Sequence, residues 1–176
     1  MYHIIEKYYT PGTRLYDILI RHSEAVRTKA LAIAAAHPQL HIDTTFVSEA
    51  SLLHDIGIIQ TDAPDIDCHG THHYIEHGIL GAEMLRQEGL PRHASVCEHH
   101  TGTGLTGKDI VNNNWTLPHC DFLPTNIEER LICYADKFYS KTRLDSEDSL
   151  EHIRTKLARW GEDSLARFNA LHDEFR

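Results

Sequence analysis

The pair His54-Asp55, inside His54-Asp55-Ile56-Gly57, is the segment with the sharpest chemical potential. An imidazole nitrogen and a carboxylate oxygen are both good ligands for divalent first-row metals. Placed side by side at a helix end, the two side chains diverge and can reach one ion from two sides. The carboxylate can also bridge two ions. The dipeptide alone fits better a capping histidine beside a solvated aspartate, so other residues must carry the argument. His22 lies in the stripe Leu15-Leu19-His22-Val26, where burial needs a partner; alone it is more often a satisfied core histidine. His77 opens a helix whose next turn offers Gly81 and Ala82, small enough for another helix to approach. His100 follows Val96 by four residues and Cys97 by three and shares their face, whereas His99 points elsewhere. Asp136 follows Ile132 by four in an apolar segment, and a buried aspartate wants a cation. Five helices thus each offer an inward His or Asp, and they converge most simply on metal. The donors are all nitrogen or oxygen, which suits Mn, Fe, Co, Ni or Zn without choosing among them. Lys137, next to Asp136, could reach a phosphate, at parity with a solvated lysine. His73 and His99 could bind a phosphate or protonate a leaving group, though each alone is more often surface. His69 and His72 are weaker still.

The elements that must position these residues read as helices. From about residue 12 to 37, Leu15, Ile18, Leu19, Val26, Ala30, Ile33 and Ala34 recur at spacings of three and four, until Pro38 ends the pattern. Asp43 can cap a second helix through Leu53, with Gly57 at its end. Residues 60–73 are polar, with Pro64 and Gly70, and read as a loop of functional length that could act as a lid. A helix over 74–88 stops at Gly89, and Pro91 opens the next, which ends at His99 or His100. Residues 101–124 are irregular, with a short helix near 108–112. Thr125-Asn126-Ile127-Glu128 fits a capping box before a helix through Phe138. Leu150, Ile153, Leu157 and Trp160 mark another helix, and Gly161 interrupts it before Leu165 to Phe175. The sequence shows no convincing strand pair, repeat or linker.

The totals exclude some classes. The 176 residues include 41% apolar and 24% charged residues, ordinary for one compact globular unit. A net charge of −9 argues against a duplex nucleic-acid partner, although an acidic protein can hold a small phosphate through a metal. No apolar run is long enough to span a bilayer, and no leader pattern precedes Pro11, so no membrane partner is expected. Cys68, Cys97, Cys120 and Cys133 make no Cys-x-x-Cys, and a cytoplasmic protein with reduced thiols is the simplest expectation. Histidine, with 15 copies spread along the chain, is unusually frequent.

The order His22, then His54-Asp55, then Asp136 resembles the H…HD…D pattern of the HD superfamily, whose most familiar form is HDIG. His22-Ser23-Glu24-Ala25-Val26, Ala50-Ser51-Leu52-Leu53 and Ala135-Asp136-Lys137 look like that family too. His77 with Gly81-Ala82, and His99-His100-Thr101-Gly102, are similar to the extra histidines of its two-metal members. As a set, over about residues 14–141, these matches are highly specific. The resemblance implies an all-α, single-domain HD-type helical bundle over 1–176, with a helical extension at 147–175. It implies a metal-dependent phosphohydrolase acting on a small phosphorylated substrate, of nucleotide class, through a metal-activated hydroxide. By position, His22, His54, Asp55 and Asp136 would hold one divalent transition-metal ion. Asp55, also the catalytic residue, would bridge to a second ion held by His77 and His100. Ile58 stands where many HDIG proteins have lysine, and no Gly-Tyr-Pro follows His99-His100, unlike the cyclic-dinucleotide branch. A di-iron oxygenase would use nearly the same ligands, and a catalytically silent nucleotide-binding module is the other alternative. The amphipathic tail over 147–175 could close the core or pair with a second chain as a homo-oligomer.

Overall fold

The computed structural model describes residues 1–176. The chain opens with a helix that the sequence pattern does not announce, α1 (Tyr2–Tyr8). It buries Ile4 and Ile5, and the Tyr9 hydroxyl that follows donates to the Ile56 carbonyl at 2.7 Å and accepts from the Ile59 N–H at 3.1 Å. The N-terminus therefore clamps the turn that follows His54-Asp55. The Thr13 hydroxyl accepts the Tyr16 N–H and starts α2 (Arg14–Ala36). The Asp43 carboxylate accepts the Phe46 N–H and starts α3 (Thr44–Leu53), as the capping argument expects. Short 3-10 turns at Pro38–Leu40, Ile56–Gln60, Pro64–Ile66 and Tyr74–Glu76 link the longer elements.

Residues 60–73 are more structured than a plain loop. β1 (Asp62–Ala63) pairs antiparallel with β2 (Cys68–His69), and Ile66 and Cys68 point into the core. The next helix, α4 (His77–Gln87), starts three residues later than its apolar pattern suggests, because Tyr74–Glu76 forms the tighter turn. Pro91 opens α5 (Pro91–His99), Thr106 caps the short α6 (Gly107–Asn112), and α7 spans Ile127–Asp136. Asn126, not Thr125, caps α7: its side chain accepts the Glu129 N–H at 2.9 Å, while the Glu129 carboxylate accepts the Thr125 N–H at 2.7 Å. A second hairpin, β3 (Tyr139–Ser140) with β4 (Arg143–Glu147), also corrects the expectation of no strand pair. Its exposed Arg-Leu-Asp-Ser-Glu strand lacks the apolar alternation that would signal it. After it come α8 (Leu150–Ala158) and α9 (Glu162–Phe175), separated at Gly161, which adopts φ +116°.

The architecture is all-α, with two small hairpins inserted. One apolar cluster joins the C-terminal half of α2 to α3, α7, α8 and α9 through Val26, Val47, Ile132, Ile153 and Phe168. Another joins α1 and the start of α2 to α4 and α5 through Ile5, Leu19, Ile56 and Leu85. Each fully buried side chain of this size contributes roughly 1.5–3 kcal/mol. The tail closes the core, because Ile153, Leu157, Phe168, Leu171 and Phe175 are all buried. Gly57 owes its place to packing rather than to a helix end: a Cβ there would lie 2.2 Å from the His77 carbonyl and 2.4 Å from the Gly81 nitrogen. The partner that Gly81 admits is thus the Ile56–Gln60 turn rather than a helix, and this contact sets α4 against the end of α3. No helix is long and apolar enough to cross a membrane.

Candidate metal centre

His22 sits where α2 passes from one apolar cluster to the other, between Leu19 and Val26. His54 and Asp55 follow the last turn of α3, and Asp136 ends α7. These four side chains are buried and offer ligand atoms that all lie within 4.8 Å of one another. His22 Nε2 is 3.0 Å from both Asp55 Oδ2 and Asp136 Oδ1, and His54 Nε2 is 3.1 and 3.4 Å from the same oxygens. The other Asp55 oxygen, Oδ1, lies 3.4 Å from the Nε2 atoms of His77 and His100, which are 3.1 Å apart. Asp55 is therefore shared between two groups of donors, one oxygen facing each.

Tautomers are set from behind. The Nδ1 atoms of His54, His77 and His100 lie 2.7, 2.7 and 2.8 Å from the carbonyls of Ser51, Tyr74 and Cys97. In each case the carbonyl is three residues earlier in the chain. Nδ1–H donates there, which turns Nε2 toward the centre, the arrangement seen in metal-ligating histidines. The separations among the inward atoms are short, yet His22 Nε2, His54 Nε2 and both Asp55 oxygens make no aligned hydrogen bond. Buried polar atoms left in this state are costly unless something binds them. Divalent cations at the two donor groups would satisfy these atoms, so the donor set fits a metal.

The charges divide the histidines. Burial pushes the His54 imidazole down, but the Asp55 and Asp136 carboxylates outweigh it and hold its pKa at about 9. Burial lowers His77 to about 3 and also lowers His100, so both present neutral lone pairs. Burial opposes the charge on Asp55, but Lys141 and His54 hold it well below the usual carboxylate range. Asp136 is held low in the same way, against burial, by Lys137 and the histidines.

Lys141 is the functional residue that sequence reasoning missed. It sits in the turn of the β3–β4 hairpin with Nζ 2.6 Å from Asp55 Oδ2, its side chain 12% exposed. Nothing in the local sequence marks it, because only the hairpin returns it to an aspartate 86 positions away. Lys137 Nζ lies 2.7 Å from Asp136 Oδ2 and donates to the His100 carbonyl at 3.3 Å. The other expected substrate contacts are placed differently. His73 is exposed and serves as the N-terminal cap of the Tyr74–Glu76 turn. His99 turns to Glu129, with Nδ1 3.1 Å from its carboxylate. His69 and His72 are exposed, beside Asp67 and Glu76. None of these four lines the cavity of about 540 Å³ that opens beside the centre and is bordered by His77, His100, Asp136, Lys137 and Lys141.

The chain is similar to known proteins over most of its length. A family model described as HD domain matches residues 19–140. Uncharacterized protein MJ0778 of Methanocaldococcus jannaschii is 31% identical over 160 residues, covering 89% of this chain and 86% of that one. A tRNA (cytidine(56)-2'-O)-methyltransferase of Thermoplasma volcanium is 32% identical over 158 residues, covering 89% of this chain. A protein of the same name from Picrophilus torridus is 31% identical over 160 residues, covering 90%. The chain spans 41% of the length of each methyltransferase. No solved structure matches it. The matched stretch holds the whole buried His/Asp cluster, from His22 to Asp136, and the chain belongs to the HD domain family.

Proposed function

We propose that this protein is a metal-dependent phosphohydrolase that cleaves a phosphate ester or anhydride of a small molecule of nucleotide size. The observation that carries the proposal is the division of Asp55 between two buried donor groups, beside a cavity with lysines at its inner end. His22, His54, Asp55 and Asp136 would hold one divalent transition-metal ion, and Asp55, His77 and His100 a second. Bound there, such ions supply Lewis acidity and bring the pKa of a coordinated water near neutrality.

The chain's own residues do the rest. Lys137 and Lys141 place two ammonium groups at the edge of the centre, where the phosphoryl oxygens of a substrate would lie. Fixed charges in a buried site act more strongly than in water and need no reorganisation as negative charge develops. The carbonyls of Ser51, Tyr74 and Cys97 keep three imidazoles in one orientation. The activity in the names of the two longer relatives is theirs; for this chain the reading rests on the buried donors. The test is to strip the protein, reload it with Mn, Fe, Co, Ni or Zn, and assay phosphorylated small molecules for phosphate release with oxygen consumption in parallel. Metal-dependent phosphate release is expected. Oxygen uptake without phosphate release would replace the hydrolase by an oxygenase, and failure to take up any metal would leave a silent binding module.

A further inference from the structure

The cavity has a second wall whose chemistry differs from that of the metal centre. Trp160, in the turn after α8, and Ile75, before α4, are half-buried and border it, together with Leu157. Trp160 is held on two sides. Its ring meets Trp115 edge-on with centroids 5.6 Å apart. It also covers Gly102, where a Cβ would lie 2.8 Å from the ring. Gly102 has φ +61° and comes two residues after His100. The indole is thus packed directly on the loop that presents a donor of the centre, so apolar wall and donor group keep a fixed relation.

The source of this wall matters. Leu157 and Trp160 lie beyond residue 140, outside the stretch that matches the HD domain. The donors of the centre lie inside that stretch, so α8 and its following turn add a surface from outside the residues that the HD domain model matches. Lys156, also from α8, borders the same cavity, as do Lys137 and Lys141. Lys137 and Lys141 stand beside the metal centre, and Trp160, Leu157 and Ile75 add apolar surface to the same space. Its volume of about 540 Å³ admits one drug-sized molecule.

We propose that Trp160 is a specificity-determining residue: the wall it forms with Leu157 and Ile75 takes a flat, uncharged ring on the leaving group of an organic phosphate. The phosphate end lies toward Lys137 and Lys141, and the ring lies against the indole. Small ring-less phosphates such as glycerol phosphate leave the wall bare and bind poorly. The phosphate end of the proposal rests on the phosphohydrolase reading; the ring subsite does not.

The experiment compares the metal-loaded wild type, Trp160→Ala and Trp160→Phe on phenyl phosphate, adenosine monophosphate and glycerol phosphate. Stacking of a ring on an aromatic side chain is worth about tenfold or more in binding. The wild type should therefore prefer the two ring-bearing compounds by about tenfold or more in kcat/KM. Trp160→Ala should lose that preference through KM, and Trp160→Phe should keep most of it. A wild type that turns over glycerol phosphate equally well, or a Trp160→Ala variant that keeps the preference, overturns the proposal. Should Trp160→Ala fail to fold, Trp115→Phe leaves Trp160 as the remaining indole for a fluorescence titration with adenosine monophosphate. A saturable change supports the subsite and a flat response overturns it. Saturable fluorescence with no phosphate released in any metal form would sink the hydrolase reading and leave the subsite standing. Phosphate release with no ring preference and a flat titration would do the reverse.

Discussion

His99 and His100 are neighbours in the chain and belong to two clusters of opposite character. His99 joins Glu129, whose carboxylate also accepts from the Ser95 hydroxyl at 2.6 Å and from the Thr125 N–H at 2.7 Å. Both Glu129 oxygens are matched by protein donors, so the carboxylate is closed off and ties α5 to the start of α7. His100 faces Asp55 and His77, where short separations coexist with unaligned polar atoms. Both pair imidazole with carboxylate, the first in a half-buried place and the second in a fully buried one. What differs most is how far the chain supplies the partners itself: Lys141 reaches Asp55 Oδ2 in the second cluster, but His22 Nε2, His54 Nε2 and Asp55 Oδ1 are left without an aligned partner. A closed cluster is structural, and one left open by the protein is a place for a ligand.

The largest break in that comparison is expected from Asp55→Asn. It should cut metal-dependent turnover by at least about 10³-fold while circular dichroism keeps its helical signal, because the shape is preserved and the shared charge is lost. Full turnover would remove Asp55 from the bridge. The neighbouring histidines offer the sharpest contrast. His100→Ala should lose one equivalent of bound metal by elemental analysis. His99→Ala should keep the metal and lower stability by about 1–2 kcal/mol in denaturant unfolding. Equal metal loss from both would end the distinction between closed and open clusters. Lys141→Met should raise KM for a phosphorylated substrate by about tenfold, since a charge-assisted contact is removed. The same change should tighten metal binding, because the Lys141 ammonium competes for Asp55 Oδ2. Calorimetric metal titration showing weaker binding would contradict that competition.

The smallest effects concern pH, and they run in opposite directions. Burial opposes the Glu129 charge, but His99, Ser95 and the Thr125 N–H hold its pKa at about 2, below the ordinary value of 4.5. Its folded value is depressed, so its stabilisation is complete above about 4.5 and is lost as pH falls toward 2. His54 in the metal-free protein is raised from 6.5 to about 9, so its stabilisation is complete below 6.5 and is lost as pH rises through about 9. A metal needs the His54 lone pair, so loading should release a proton below that value, and apparent affinity should rise with pH until about 9. Unfolding curves from pH 2 to 10, with and without metal, check both signs. An affinity that does not change between pH 6 and 9 would mean that His54 carries no proton to displace.

Much of this molecule is legible in one dimension because its local signals agree. Asp43 and Pro91 open helices where their cap or Pro chemistry places them, and the apolar spacing around His22 and Asp136 puts both side chains inward. The Asn126 cap lies one residue later than expected because Thr125 and Asn126 are both capping residues, and only the Glu129 network chooses between them. The hairpin over 139–147 is invisible in the pattern, since its strands are short and polar and gain their place from contacts with α2. With that hairpin goes Lys141.

From residue types and spacing alone come the helical class and a set of inward His and Asp donors; the HD resemblance implies which of them would share an ion. Periodicity and caps act over a few residues, and that range suffices for both. Only the tertiary structure separates His99 from His100 by their partners, brings Lys141 to Asp55, and sets Trp160 over Gly102. Each of these depends on contacts between residues distant in the chain, which no local spacing encodes.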